Sequence, residues 1–185
     1  LDNKLKIHWQ NEEAARLNLD DKRVHDFLFQ KGSLTRFIQQ HCKGVFNIEL
    51  ITESWTQAMP EETQLLSLPD NETPFIRESR LKCDNQALVY ARTVIPKKTL
   101  AGKNQKLTKL GTTPLGDVLF NDETTYRTDM CYAKIHVGCQ LHSEATKELN
   151  ITSELWGRQS LFYTEQQPLL ITEIFLPAIL QCNKN

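Results

Sequence analysis

Four charged residues occupy positions where apolar ones belong. Strand residues alternate sides, so each charge can be placed by its neighbours. Over 75–83, Phe75, Arg77, Ser79, Leu81 and Cys83 share one side, which carries Arg77 as its charge. The opposite side holds Ile76, Glu78, Arg80 and Lys82 and is expected to meet water. Arg92 shares a side with Leu88, Tyr90 and Val94, and Arg158 lies between Trp156 and Phe162. Glu173 lies between Ile171 and Phe175 in a run, 169–176, that is apolar on both sides apart from Thr172 and Glu173. Such a run reads as a central strand covered on both faces. A lone buried carboxylate is costly, so Glu173 needs a partner. One reading is a structural ion pair between Glu173 and an arginine. The other is a pocket, in which three arginines against one glutamate leave two positive charges for an anionic ligand. A small dianion matches that surplus, because guanidinium binds carboxylates through paired hydrogen bonds. Arg158 is the weakest member of the set, since it can turn to a sheet edge.

Other candidate chemistry is thinner. Cys131, His136, Cys139 and His142 could supply soft ligands, but their spacing matches no standard zinc module, and no metal is expected. His8, His25 and His41 have no evident acid partner. Motifs for nucleophile elbows, zincins, P-loops and dinucleotide folds are absent. Five lysines and no acid fall between 97 and 109, read as a solvated loop.

The elements that must position these charges follow from periodicity. Asp20 or Asp21 can cap a helix carrying Val24, Phe27 and Leu28, and Ser33 a second one with Leu34, Phe37 and Ile38 on one face. Residues 45–55 alternate as a strand, and 59–73 read as a loop. Segments 75–83 and 87–96 form a hairpin across Asp84-Asn85-Gln86. Thr113-Pro114 opens a short helix, with the threonine as its cap. Residues 126–137 suggest a strand, 143–149 a helix, and 155–164 with 169–176 a second hairpin. The sum is an α+β single domain on an antiparallel sheet of five or six strands. A polar lead-in, 1–20, precedes a domain body at 21–180.

The 185 residues carry 22 Lys and Arg against 23 Asp and Glu, a formal charge of −1, which argues against a nucleic-acid partner. No apolar run is long enough for membrane insertion, and residues 1–13 show no secretory signal. Five scattered cysteines, an odd number, suggest reduced thiols and a cytoplasmic location.

Six stretches resemble one family in order along the chain. They are Ser33-Leu-Thr-Arg-Phe37, Phe75-Ile-Arg-Glu78, Ala91-Arg-Thr-Val-Ile-Pro96, Lys109-Leu-Gly-Thr-Thr-Pro-Leu-Gly116, Leu155-Trp-Gly-Arg158 and Pro168-Leu-Leu-Ile-Thr-Glu-Ile-Phe-Leu-Pro177. The chain resembles the chorismate pyruvate-lyase family. That resemblance implies a six-stranded antiparallel sheet with helical flaps over a buried ligand. It implies elimination of pyruvate from chorismate to give 4-hydroxybenzoate for ubiquinone biosynthesis, without metal or cofactor. It implies a monomer, and a product that could pass to a membrane prenyltransferase. By the resemblance, Arg77 and Glu173 are the catalytic pair, with Arg77 holding a ligand carboxylate. Leu115 gives a backbone contact, Leu34 stands for a flap methionine, and the arginine of the R-T-V-x-P stretch falls on Arg92. For a substrate with two carboxylates, Arg92 is expected to take the enolpyruvyl carboxylate or ether oxygen. Two departures stand out: Ala91 replaces a glycine, and 121–154 is longer than the family pattern. The competing expectation is a non-catalytic sensor of aromatic acids on the same fold.

Overall fold

The structure, a computed structural model, describes residues 6–128 and 130–182. A seven-stranded antiparallel sheet organises them. Its strands are β1 (Phe46–Trp55), β2 (Phe75–Cys83), β3 (Gln86–Ile95), β4 (Tyr126–Arg127), β5 (Cys131–Ile135), β6 (Leu155–Thr164) and β7 (Gln167–Phe175). The order is β1-β2-β3-β7-β6-β4, and β5 also pairs with β6. Strands β4 and β5 therefore follow one another along the same edge of β6. The β6–β7 hairpin turns on Glu165 and Gln166, both with positive φ (50° and 63°), a two-residue turn that matches the strand twist.

Both faces of the sheet are covered, which is why its central strands are apolar on both sides. On one face lie α1 (Glu12–Asn18), α2 (His25–Leu28) and α3 (Leu34–His41), packed through Phe27, Leu28 and Ile38 onto Leu81, Val89, Trp156 and Phe175. The same face carries α5 (Leu115–Phe120) and two 3-10 stretches at Lys97–Leu100 and Gly102–Lys109. These press Leu100, Leu107, Leu115 and Leu119 onto Phe75, Ile95, Phe162 and Leu169. On the other face, α4 (Pro60–Leu66) and α6 (Gln140–Ala145) bury Ile76, Val94, Leu170, Ile135 and Ile174. Gly157 is required here: a Cβ would lie 2.6 Å from Ile174 Cδ1.

Several local expectations change. Residues 59–73 are not all loop, since Pro60 starts α4 and Glu62 caps it by accepting from the Met59 N–H at 2.8 Å. The lead-in packs as part of the same body, with Gln10 bridging Tyr132 through two backbone bonds of 2.9 Å and Ala15 buried. The lysine-rich segment is solvated on its charges but anchors buried Leu100 and Leu107. Thr113 is not the cap of α5; Pro114 occupies that position, and the Thr113 carbonyl serves Arg77 instead. His25 has an acid neighbour after all, Asp26 at 2.9 Å. Glu78 and Arg80 do not meet water, because α4 and the α6 end of the fold cover their face.

The cysteines also correct the reading of five reduced thiols. Cys42, the C-cap of α3, is bonded to Cys83 at the end of β2, with Cα atoms 5.7 Å apart. Cys131, Cys139 and Cys182 form no disulfide and remain thiols. The bond closes a 41-residue separation and ties α3 to the sheet. Thiol titration of the denatured, unreduced protein should count three thiols, not five. Cys42→Ser should lower stability to urea by about 2–4 kcal/mol.

Candidate active site

Between the two apolar clusters of the α3/α5 face lies a polar strip. Arg77 and Ser79 from β2, Ala91 and Thr93 from β3, Arg158 from β6 and Glu173 from β7 line a cavity there. Their register brings them together: Arg77 lies opposite Thr93, Ala91 opposite Glu173, and Glu173 opposite Arg158. Leu34 and Leu115 line the other side of the same cavity, at the first turns of α3 and α5.

Each cavity charge is held differently. Arg77, 3% exposed, donates from Nε to Glu53 at 3.2 Å and from Nη1 to Ser79 Oγ at 3.0 Å. Its Nη2 donates to the carbonyls of Gly111 (2.9 Å) and Thr113 (3.4 Å). Gly111 can present that carbonyl because it sits at φ 55°, where a side chain would be strained. Its own N–H donates to Glu53 at 3.1 Å. Burial lowers the Arg77 pKa, and Glu53 offsets part of that; the guanidinium stays charged. Arg158, 2% exposed, donates from Nε to Glu173 at 2.5 Å. Its Nη1 collects the carbonyls of Phe27, Leu28 and Gln30, at 3.3, 3.2 and 2.6 Å, at the end of α2. A cation there complements the negative end of the helix.

Two residues, one lining the cavity and one behind it, were not anticipated. Glu53 comes from β1 and pairs with Arg77. Arg127, at the end of β4, points its guanidinium into the cavity wall over the rings of Phe120 (5.4 Å) and Phe162 (5.6 Å). With Glu53 included, the cluster holds three arginines against two glutamates. The positive surplus is therefore one, not two.

Arg92 does not join them. It lies on the opposite face, where Nε and Nη2 clasp Glu62 at 2.7 and 2.9 Å and Nη1 meets Glu78 at 2.5 Å. Tyr90 donates its hydroxyl to Glu78 at 2.6 Å. Burial and the Glu78 charge push the Tyr90 pKa upward, so it remains a donor. The cause of the displacement is a bulge. Cys83–Gln86 and Lys82–Ala87 pair in one register, but Leu81 pairs with Val89, so Leu88 is an extra residue. Without it Arg92 would face Arg77; with it, Arg92 faces Glu78.

The flaps meet above the cavity. Ser33, which caps α3 by accepting from the Arg36 N–H at 3.3 Å, lies close enough to Gly116 of α5 that a Cβ there would be 3.4 Å from its Oγ. Arg36 donates to Asp117 at 2.9 Å and to Asn121 at 3.4 Å across the same seam. That ion pair is exposed and so is worth little, about 0–1 kcal/mol.

The candidate metal ligands remain dispersed in use. His142 bonds the Ser153 carbonyl at 2.9 Å and His136 pairs with Glu154, while Cys131 is exposed and Cys139 buried.

A family model described as chorismate lyase matches residues 4–184. The chain belongs to the chorismate lyase family. Relatives in that family include a protein named "Probable chorismate pyruvate-lyase" from Nitrosomonas europaea, 36% identical over 84% of this chain and 88% of the relative. Another of the same name, from Coxiella burnetii, is 35% identical over 95% of both chains. Among solved structures, the effector domain of PhnF from Mycobacterium smegmatis superposes with a TM-score of 0.54 at 11% identity, covering 81% of this chain and 91% of that one. The C-terminal domain of Yurk from Bacillus subtilis gives 0.52 at 14% identity, over 70% and 89%. At such identities these two share the fold alone with this chorismate lyase family member. No helix among the described residues is long and apolar enough to cross a membrane.

Arg92 is thus ion-paired to Glu62 and Glu78 on the face away from the cavity. Arg92→Met strands Glu62 and Glu78 and should cost about 3–5 kcal/mol of stability in denaturant unfolding. Residual activity, scaled to the folded fraction at low temperature, should remain near wild type.

Proposed function

We propose that the protein eliminates pyruvate from chorismate to leave 4-hydroxybenzoate, the committed entry to ubiquinone biosynthesis. The observation that carries this reading is the cavity itself. Arginines surround one carboxylate there under two apolar flap residues, Leu34 and Leu115. An aromatic acid fits such a site: the carboxylate meets guanidinium, and the ring meets leucine.

In this reading Arg77 holds the ring carboxylate, using the N–H its four protein bonds leave over. Glu173, oriented by Arg158, accepts from the C4 hydroxyl and fixes the ring. The C3–O bond breaks as the C4–H bond gives its electrons to the ring, and the enolpyruvate released becomes pyruvate. The C4 hydrogen lies on the ring face of the departing ether. It can pass to the enolpyruvyl methylene in a cyclic step, or leave as a proton to Glu173 or a water. Aromatisation drives either route, so positioning and fixed charge carry the catalysis. The Leu115 backbone contact and the Leu34 lid belong to the same proposal. Ala91 narrows the strip beside Glu173, and the longer 121–154 segment contributes β4 and Arg127 to the wall.

One chain completes the cavity, which supports a monomer. Chorismate is a dianion that does not cross bilayers unaided, which supports a cytoplasmic site of action. The product is then free to pass to a membrane prenyltransferase.

Purified protein mixed with chorismate alone should form 4-hydroxybenzoate, followed by absorbance. Tight 4-hydroxybenzoate binding without turnover would overturn the enzyme in favour of a sensor. Arg77→Ala should lose at least about a hundredfold in kcat/KM, in line with removal of a buried charge-assisted contact; exposed Lys98→Ala should lose nothing. Flap opening should limit turnover. Asp117→Asn, which cuts the exposed seam pair, should therefore speed product release by up to about fivefold in stopped-flow displacement.

A further inference from the structure

The cavity contains donors that neither the fold nor the ring carboxylate uses. Arg127 spends one nitrogen, Nη2, on the Lys31 carbonyl. Among the described residues no carboxylate lies within ion-pairing distance of it, and Nε and Nη1 have no hydrogen-bond acceptor. Its remaining support is the pair of ring faces of Phe120 and Phe162. Arg158 contributes a second free group. Its Nε and Nη1 are engaged, but its Nη2 has no acceptor among the described residues. Both arginines line the same cavity. Burial and the nearby positive charge of Arg158 both lower the Arg127 pKa. Two guanidinium groups lining one cavity with a single carboxylate, Glu173, form an incomplete ion cluster.

We propose that Arg127, together with the free Nη2 of Arg158, is the receptor for the substrate's second carboxylate, the one on the enolpyruvyl arm. This rests on the proposed function for the identity of the substrate, though not for its charge pattern. It gives Arg127 the part that the sequence suggests for Arg92, which the bulge at Leu88 carries to the other face. The chemical class follows from the spacing of roles. Arg77 takes one carboxylate, Glu173 a hydroxyl, and the Arg127/Arg158 pair a carboxylate on a side arm. Arg127 is thereby a specificity residue: it separates a dianionic ligand from the monoanionic product. It also joins the moving parts, since its contacts are Lys31, just before α3, and Phe120, the last residue of α5.

The test compares two stable probes by calorimetry. One is 4-hydroxybenzoate, with one carboxylate. The other is 3-carboxymethoxy-4-hydroxybenzoate, which adds a carboxylate on an ether arm and cannot eliminate. Arg127→Gln should weaken the two-carboxylate probe about tenfold or more, the size of a lost charge-assisted hydrogen bond, and 4-hydroxybenzoate by less than about threefold. Arg127→Lys, which keeps the charge and the ring contact, should recover part of that loss. In turnover, the same variants should raise KM for chorismate more than they lower kcat. Equal weakening of both probes would make Arg127 a strut between flap and sheet and overturn the proposal, as would no weakening of either. Should Arg127→Gln fail to fold, Arg127→Lys carries the comparison alone, with the same two outcomes. A wild-type protein that binds the two-carboxylate probe through Arg127 yet leaves chorismate intact would overturn the enzymatic reading and leave this receptor standing.

Discussion

A sheet covered on both faces has no wet side, so every charge on its central strands must find its counter-charge inside the fold or in a ligand. This constraint organises the protein. Arg77, Glu78 and Arg80 on β2, Arg92 on β3 and Arg158 on β6 are all at least nine-tenths buried. A lone ion in such surroundings costs far more than any single contact returns. The fold answers with two clusters, one on each face, and they differ in completeness.

On the α4 face the account closes around Arg92, while the buried Nε of Arg80 finds no acceptor among the described residues. Arg92 sits between Glu62 and Glu78, Tyr90 supplies a hydroxyl, and Arg80 reaches the Lys147 carbonyl at 2.5 Å. Glu62 also caps the helix that covers them, so the ion pair and the helix position each other. On the α3/α5 face the account stays open. Arg77 is tied to Glu53 and to the 111–113 loop, and Arg158 is tied to Glu173 and to α2, but donors remain. The same arginines thus hold the roof segments in place and line the space beneath them. A closed cluster reads as structure and an open one as a receptor, although the sequence presents the arginines alike.

Alternation along single strands is enough to find Arg77, Arg158 and Glu173, because each stands among apolar neighbours of its own parity. The flap residues Leu34 and Leu115 came from resemblance, since a leucine at a helix start says nothing about a ligand. Alternation fails where register changes. The extra residue at Leu88 moves Arg92 off the cavity face, and a second irregularity between Leu50 and Thr52 moves Glu53 onto it. Neither bulge leaves a mark in composition. Arg127 was illegible for a different reason: β4 is two residues long. Helix α4 was obscured because a proline followed by acids looks like a loop until Arg92 is seen to need Glu62.

Charge also orders the events of a turnover on this site. The empty cluster carries one net positive charge, three arginines against Glu53 and Glu173. In the proposed reaction a bound dianion brings it to one negative charge, which is unfavourable in a cavity walled by the fold and is relieved when one carboxylate departs. With the ring carboxylate on Arg77, as proposed, the fragment that leaves carries the carboxylate farther from that arginine. What stays is a monoanion, and with it the cluster is neutral. The site is thus most comfortable with 4-hydroxybenzoate inside. On the proposed reading, expulsion of pyruvate and retention of the aromatic product are two consequences of a single buried imbalance, and product exchange then calls for α3 and α5 to part and let water share the charges.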